Sequence, residues 1–159
     1  MYAVNQQSGR IAGIDFGTVR IGIATADLAQ TIASPYENFD RHGEEAERKR
    51  FQKLVADERI VRFVVGLPVH LDGRESQKST EARRFGEWLA KVTGVPVVYF
   101  DERFTSSEAL QHLSAAHLTK KKRKARLDKL AAQIMLTAYL ESLAAGGEGP
   151  TDAPRGLDD

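Results

Sequence analysis

The stretch from Arg10 to Asp27 constrains the chain more than any other. Two short apolar runs, Arg10 to Phe16 and Arg20 to Ala26, flank a turn at Phe16 to Val19, and one carboxylate, Asp15, stands at the bend. In an extended chain alternate side chains share a face, so Ile11, Gly13 and Asp15 point one way while Ala12, Ile14 and Phe16 point the other. On the second run Gly22, Ala24 and Ala26 make a face of small residues. A hairpin that sets this face beside Asp15 presents an acid on a platform with few bulky side chains, leaving space for a metal ion or a phosphate near the backbone. The same residues also suit a plain turn, because Asp and Gly favour tight bends and Gly17 can take the positive φ that such bends use. Further acids at the ends of later elements favour the functional role.

At 159 residues and 42% hydrophobic, the chain has the material for one domain around a single core. With 23 Lys and Arg against 22 Asp and Glu, the net charge is +1, so any attraction to nucleic acid must come from local clustering. The absence of cysteine excludes a disulfide framework and a thiolate zinc site, which fits a reducing compartment. Met1 to Gly9 is polar, without a signal-like apolar core, and no apolar run approaches membrane-spanning length. The expectation is a cytoplasmic protein with no membrane partner. It divides into a flexible N-terminus over 1–9, one domain over 10–143 and a Gly- and Pro-rich disordered tail over 144–159.

A third strand is expected over Thr31 to Phe39, with Pro35 confining it to a sheet edge or a bulge. Glu44 to Arg59 reads as a surface helix burying Phe51, Leu54 and Val55 and leaving its charges solvated. Ile60 to Pro68 is a nearly continuous apolar run, the pattern of a central strand covered on both faces. Pro68 and Asp72-Gly73 end it, and a helix over Ser76 to Val92 turns Phe85, Trp88 and Leu89 inward. Gly94-Val95-Pro96 breaks the chain before a second buried strand, Val97 to Phe100, which runs into Asp101-Glu102-Arg103. Thr105 to Glu108 matches a capping box and should open a helix. A last helix is expected from about Leu127 to Leu143, with Leu127, Leu130, Ile134 and Ala138 as its apolar stripe. An opening hairpin followed by strand, helix, strand and helix gives an α/β fold: a five-stranded mixed sheet, antiparallel at first and then parallel, with helices on both faces.

Asp128 falls in the first turn of that last helix, where the helix dipole alone would favour a carboxylate. It also sits in a basic run and is followed by Ala131 and Ala132, small enough to let the helix lie close to a sheet. Alternation sends Asp101 and Glu102 to opposite faces, so one of the two can meet Asp15, and Glu102 could instead pair with Arg103 at the surface. Three carboxylates converging from a first strand, a later strand end and a final helix would form a hard oxygen cage suited to magnesium or manganese, and hence to phosphodiester hydrolysis. Lys120, Lys121, Lys122, Arg123, Lys124 and Arg126 beside such a cage would supply phosphate contacts. The histidines offer no zinc site: His112 and His117 are five apart, off a common helical face, and His42 and His70 stand in loops.

Gly13 to Ala24, Val65-Gly66-Leu67-Pro68 with Asp72-Gly73, Asp101-Glu102-Arg103-Phe104-Thr105 and Asp128 to Ala132, in this order and spacing, together resemble the bacterial YqgF (RuvX-like) family. The resemblance spans about Arg10 to Leu143. It implies an RNase H-like fold and a metal-dependent nuclease, either a Holliday-junction resolvase or the nuclease that trims precursor 16S ribosomal RNA. Carried onto this chain, it makes Asp15 the first-strand metal ligand, Glu102 the second acid ahead of Asp101, and Asp128 the final-helix acid. Mg2+ or Mn2+ would be the cofactor. Arg20 and Arg103 fall in the matching motifs as phosphate contacts. The chain departs from related junction resolvases at Gly66-Leu67-Pro68, where those carry an acid. The implied partner is precursor rRNA or branched DNA, bound by a monomer or a homodimer.

Two other classes fit part of the pattern. Asp15-Phe16-Gly17-Thr18 also resembles the first phosphate loop of the actin, hexokinase and Hsp70 superfamily, but those ATP-binding proteins need two such halves and this chain has room for one. A non-catalytic nucleic-acid-binding module would keep the basic run and use its acids structurally.

Overall fold

The computed structural model describes residues 8–68, 74, 76–104 and 120–146, with Phe104 and 120–129 described by their backbone alone. Strands β1 (Arg10–Phe16), β2 (Arg20–Ala26) and β3 (Ala33–Asp40) lead into helix α1 (Glu44–Glu58). Then come β4 (Ile60–Leu67), α2 (Gln77–Thr93), β5 (Val97–Asp101), a 3₁₀ turn (Glu102–Phe104) and α3 (Lys120–Ala144). The sheet order is β3-β2-β1-β4-β5. β1 pairs antiparallel with β2, and β2 with β3, whereas β4 runs parallel to both β1 and β5. This is the mixed sheet expected from the sequence, with β1 at its centre and β4 also interior.

Alternation along β1 sorts the core into two halves. Ala12 and Ile14 join Phe51, Leu54, Phe63, Val65, Phe85 and Leu89 under α1 and α2. Ile11 joins Ala24, Ala26, Val64, Phe100, Ala132, Met135 and Leu136 under α3. Each large apolar side chain so buried contributes about 1.5–3 kcal/mol before entropy is charged against it. α2 opens on Ser76, whose hydroxyl accepts from Ser79 N at 3.2 Å while Ser79 Oγ accepts from Ser76 N at 3.1 Å. It closes on Gly94, which takes the left-handed conformation at φ 73°.

Several expectations need correction. α3 starts at Lys120, not near Leu127, so the basic run is helix and Asp128 lies in the third turn, beyond reach of the terminal dipole. The buried face of α3 is Ala132, Met135, Leu136, Tyr139 and Leu140, while Leu130, Ile134 and Ala138 are only half covered. Apolar residues nearly encircle this helix, and closeness to the sheet chooses among them: a Cβ on Gly13 would lie 2.9 Å from Leu136 Cβ and 3.4 Å from Ala132 O. β5 is an edge strand in which Phe100 alone is buried. β3 is the other edge, begins at Ala33 after an exposed Ile32, and bulges where Ala24 pairs with Pro35. On α1 the charges are not all solvated, because Glu47 is 3% exposed. The capping box at Thr105 to Glu108, Asp72-Gly73, His70, His112, His117 and both chain ends lie outside the described residues, as do the side chains of Asp128 and of the basic run. Among the described residues no helix is long and apolar enough to cross a membrane.

Candidate active site

Strand register assembles a row of residues across the face of the sheet that α3 covers. Asn38 on β3 pairs with Gly22 on β2, Gly22 pairs with Asp15 on β1, and the pairing of Ile14 with Val65 brings Gly66 of β4 beside Asp15. Two glycines therefore flank the acid, which leaves the floor around it almost at backbone level. Glu102, the first residue of the 3₁₀ turn after β5, uses that space. A Cβ on Gly66 would collide with Glu102 Oε2 and stand 3.2 Å from its Cδ and Cγ. Gly66 has no acid to offer, and Glu102 lays one over it.

Burial, first, and then the nearby charges of Asp15 and Asp101 push the Glu102 carboxyl up from 4.5 to about 7. The causes are informative: a partly desolvated carboxylate facing two other carboxylates is a site that a cation would relieve. Asp101 is otherwise engaged, its Oδ1 accepting from Arg103 N at 2.9 Å and its Oδ2 from Arg103 Nε at 2.9 Å. A surface pairing of Glu102 with Arg103 was the alternative open in the sequence; the structure gives that partner as Asp101 and turns Glu102 inward. The turn thus engages Asp101 in closing itself and leaves Glu102 over Gly66.

A cleft of about 340 Å³ opens in front of Asp15, with Arg20, Asn38, Lys78 and Glu81 among its walls. Arg20 also pairs with Asp40 at 3.1 Å. The sequence reading missed Lys78; its place in the first turn of α2, two residues after the Ser76 cap, was the available signal. It also missed Arg41, which clips the hairpin bend. Arg41 N donates to Val19 O at 2.9 Å, and the guanidinium sits 4.8 Å from the Phe16 ring centroid while donating to Glu47 at 2.7 and 3.0 Å.

Position 128 lies one helical turn before Ala132, which packs on Gly13 two residues from Asp15. Among the described residues no group of three His, Cys, Asp or Glu side chains could hold a metal ion. The donors that are described still fit a hard divalent cation: Asp15 and Glu102 offer carboxylate oxygens over a glycine floor, without sulfur or imidazole.

A model of the RuvX family, described as Holliday junction resolvase, matches residues 9–142. The chain is 45% identical over 141 residues to a provisionally named pre-16S rRNA nuclease of Rhodopirellula baltica, covering 89% of this chain and 82% of the relative. A protein of the same provisional name from Koribacter versatilis is 37% identical over 142 residues, covering 89% and 93%. Among solved structures, RuvC of Thermus thermophilus in complex with a Holliday junction substrate superposes with a TM-score of 0.53 at 17% identity, covering 90% of this chain and 99% of that one. That likeness extends to the RNase H-like fold.

Proposed function

The chain belongs to the RuvX family of nucleases, and from that premise we propose that it hydrolyses phosphodiester bonds of precursor 16S rRNA with Asp15, Glu102 and Asp128 as its acids. The observation that carries this reading is Glu102 resting on Gly66 beside Asp15, its carboxyl raised to about 7 by burial and by like charge. Asp15 and Glu102 would hold Mg2+ or Mn2+, with Asp128 completing the set from α3. Such an ion supplies Lewis acidity, easing deprotonation of the attacking water and screening charge that builds on the phosphoryl oxygens. The chain's own part is placement. The glycine floor lets the phosphodiester approach the acids, Arg20 and Lys78 hold its charge at the cleft wall, and α3 excludes water from behind. Arg103 keeps Asp101 folded back, and Lys120, Lys121, Lys122, Arg123, Lys124 and Arg126 extend the phosphate contacts along α3. Work on ribosomal precursors would place the protein in the cytoplasm.

The test is side-by-side incubation with precursor 16S rRNA and a four-way DNA junction, in magnesium and in manganese. Trimming of the RNA that disappears in Asp15→Asn and in EDTA is the expected result. Cleavage of the junction alone would reassign the substrate to branched DNA, and symmetric cuts would then call for two paired sites. Nucleic-acid binding without cleavage of either would leave a binding module whose acids are structural.

A further inference from the structure

Next to the acid cleft, on the side of the sheet covered by α1 and α2, lies a second and larger concavity of about 520 Å³, within the range of small-molecule sites. Phe16, Thr18 and Glu81 line both, so the two form one continuous groove. Its walls are Phe16, Phe85 and Trp88, with ring centroids 4.8 Å apart for Phe16 and Phe85 and 5.6 Å for Phe85 and Trp88. The polar groups there are of a particular kind. Arg41 and Glu47 neutralise each other through paired hydrogen bonds, and Glu44 accepts from Trp88 Nε1 at 3.2 Å. Glu81 contributes an acceptor at the junction of the two spaces, and Arg84 adds a cation to the groove's lining. Aromatic faces with hydrogen-bond acceptors at their margin suit a nucleobase, which stacks by its face and donates through its exocyclic amino group, while Arg84 suits the phosphate attached to it. Along α2, Lys78 on the acid cleft and Trp88 on the groove are ten residues apart, about 15 Å of helix, a few nucleotides of extended strand.

We infer that this groove is a nucleobase subsite that takes one unpaired base of the substrate, a few nucleotides from the bond being cut, with Trp88 as its stacking surface. The inference rests on the nuclease reading and deepens it: a base that must leave its helix to enter the groove makes the preferred substrate a single-stranded segment, not a continuous duplex.

Trp88 is the single tryptophan of the chain, so its emission reports on the groove directly. The full chain carrying Asp15→Asn, which binds without turnover, is titrated in magnesium with a short single-stranded RNA, with a blunt duplex of equal length and with an abasic strand that keeps the phosphates. Binding is followed independently by anisotropy. Quenching of Trp88 by the single strand alone is the expected result. In Trp88→Leu, affinity for the single strand should fall about tenfold, the loss of one stacked base, and affinity for the duplex should not change. Anisotropy that shows the strand bound while Trp88 emission stays constant, or equal quenching by the abasic strand, would overturn the subsite and leave the nuclease reading standing. Absence of binding by all three nucleic acids would overturn both.

Discussion

Glycine at position 66 and glutamate at position 102 are one device. Because the colliding group is the far end of a flexible side chain, a methyl at residue 66 would cost the fold little and displace the carboxylate from its place beside Asp15. Gly66→Ala should therefore lower cleavage at least a hundredfold while shifting stability by less than about 1 kcal/mol, read by turnover assays and urea titration of the same sample. The raised carboxyl has a second consequence. Between pH 4.5 and about 7 the folded chain keeps the Glu102 proton that the unfolded chain has released, so stability falls as pH rises through this window. Relative to Glu102→Gln, the metal-free protein should lose on the order of 3 kcal/mol across it, measured by urea unfolding in EDTA. A difference that does not vary with pH would refute the burial of this group. Asp15 was legible in the sequence because alternation alone fixes its face. Alternation left open which of Glu102 and Asp101 turns toward Asp15, and only the family resemblance ranked Glu102 first, since the orientation turns on the missing side chain of a distant strand and on Arg103 claiming Asp101.

The elements show where periodicity suffices and where it fails. Phe51, Leu54, Phe85 and Leu89 were legible because α1 and α2 are polar elsewhere and leave one apolar stripe. α3 offers apolar residues on most sides, and the face it buries is set by how closely a helix can approach Gly13. Leu136 Cβ is no flexible tip, so Gly13→Ala should push the helix outward and cost about 1–3 kcal/mol, read as a drop in the thermal midpoint. Cleavage should fall with it if position 128 serves the site. On the opposite face, Glu47 escaped a sequence reading because its neighbours on α1 are ordinary surface charges, and it is Arg41, reaching back from the end of β3, that allows its burial. Arg41→Met strands that carboxylate and removes the clip on the bend, and should destabilise the protein by about 3–5 kcal/mol.

At the scale of the molecule, the antiparallel-then-parallel sheet was legible because an opening hairpin followed by two crossovers leaves few sheets to build. A divalent ion that binds only the folded chain couples the acids to the stability of the whole. Magnesium should raise the thermal midpoint at pH 8 but not at pH 5, where Glu102 holds its proton, and the increment should vanish in Asp15→Asn. The bulge at Pro35 matters beyond the edge it deforms. Proline has no amide hydrogen to donate, and the kink throws the outer margin of β3 out of step with any straight neighbour. At the concentrations reached in a crowded cell, that irregular border should keep one copy from zippering onto the next and extending into a fibre.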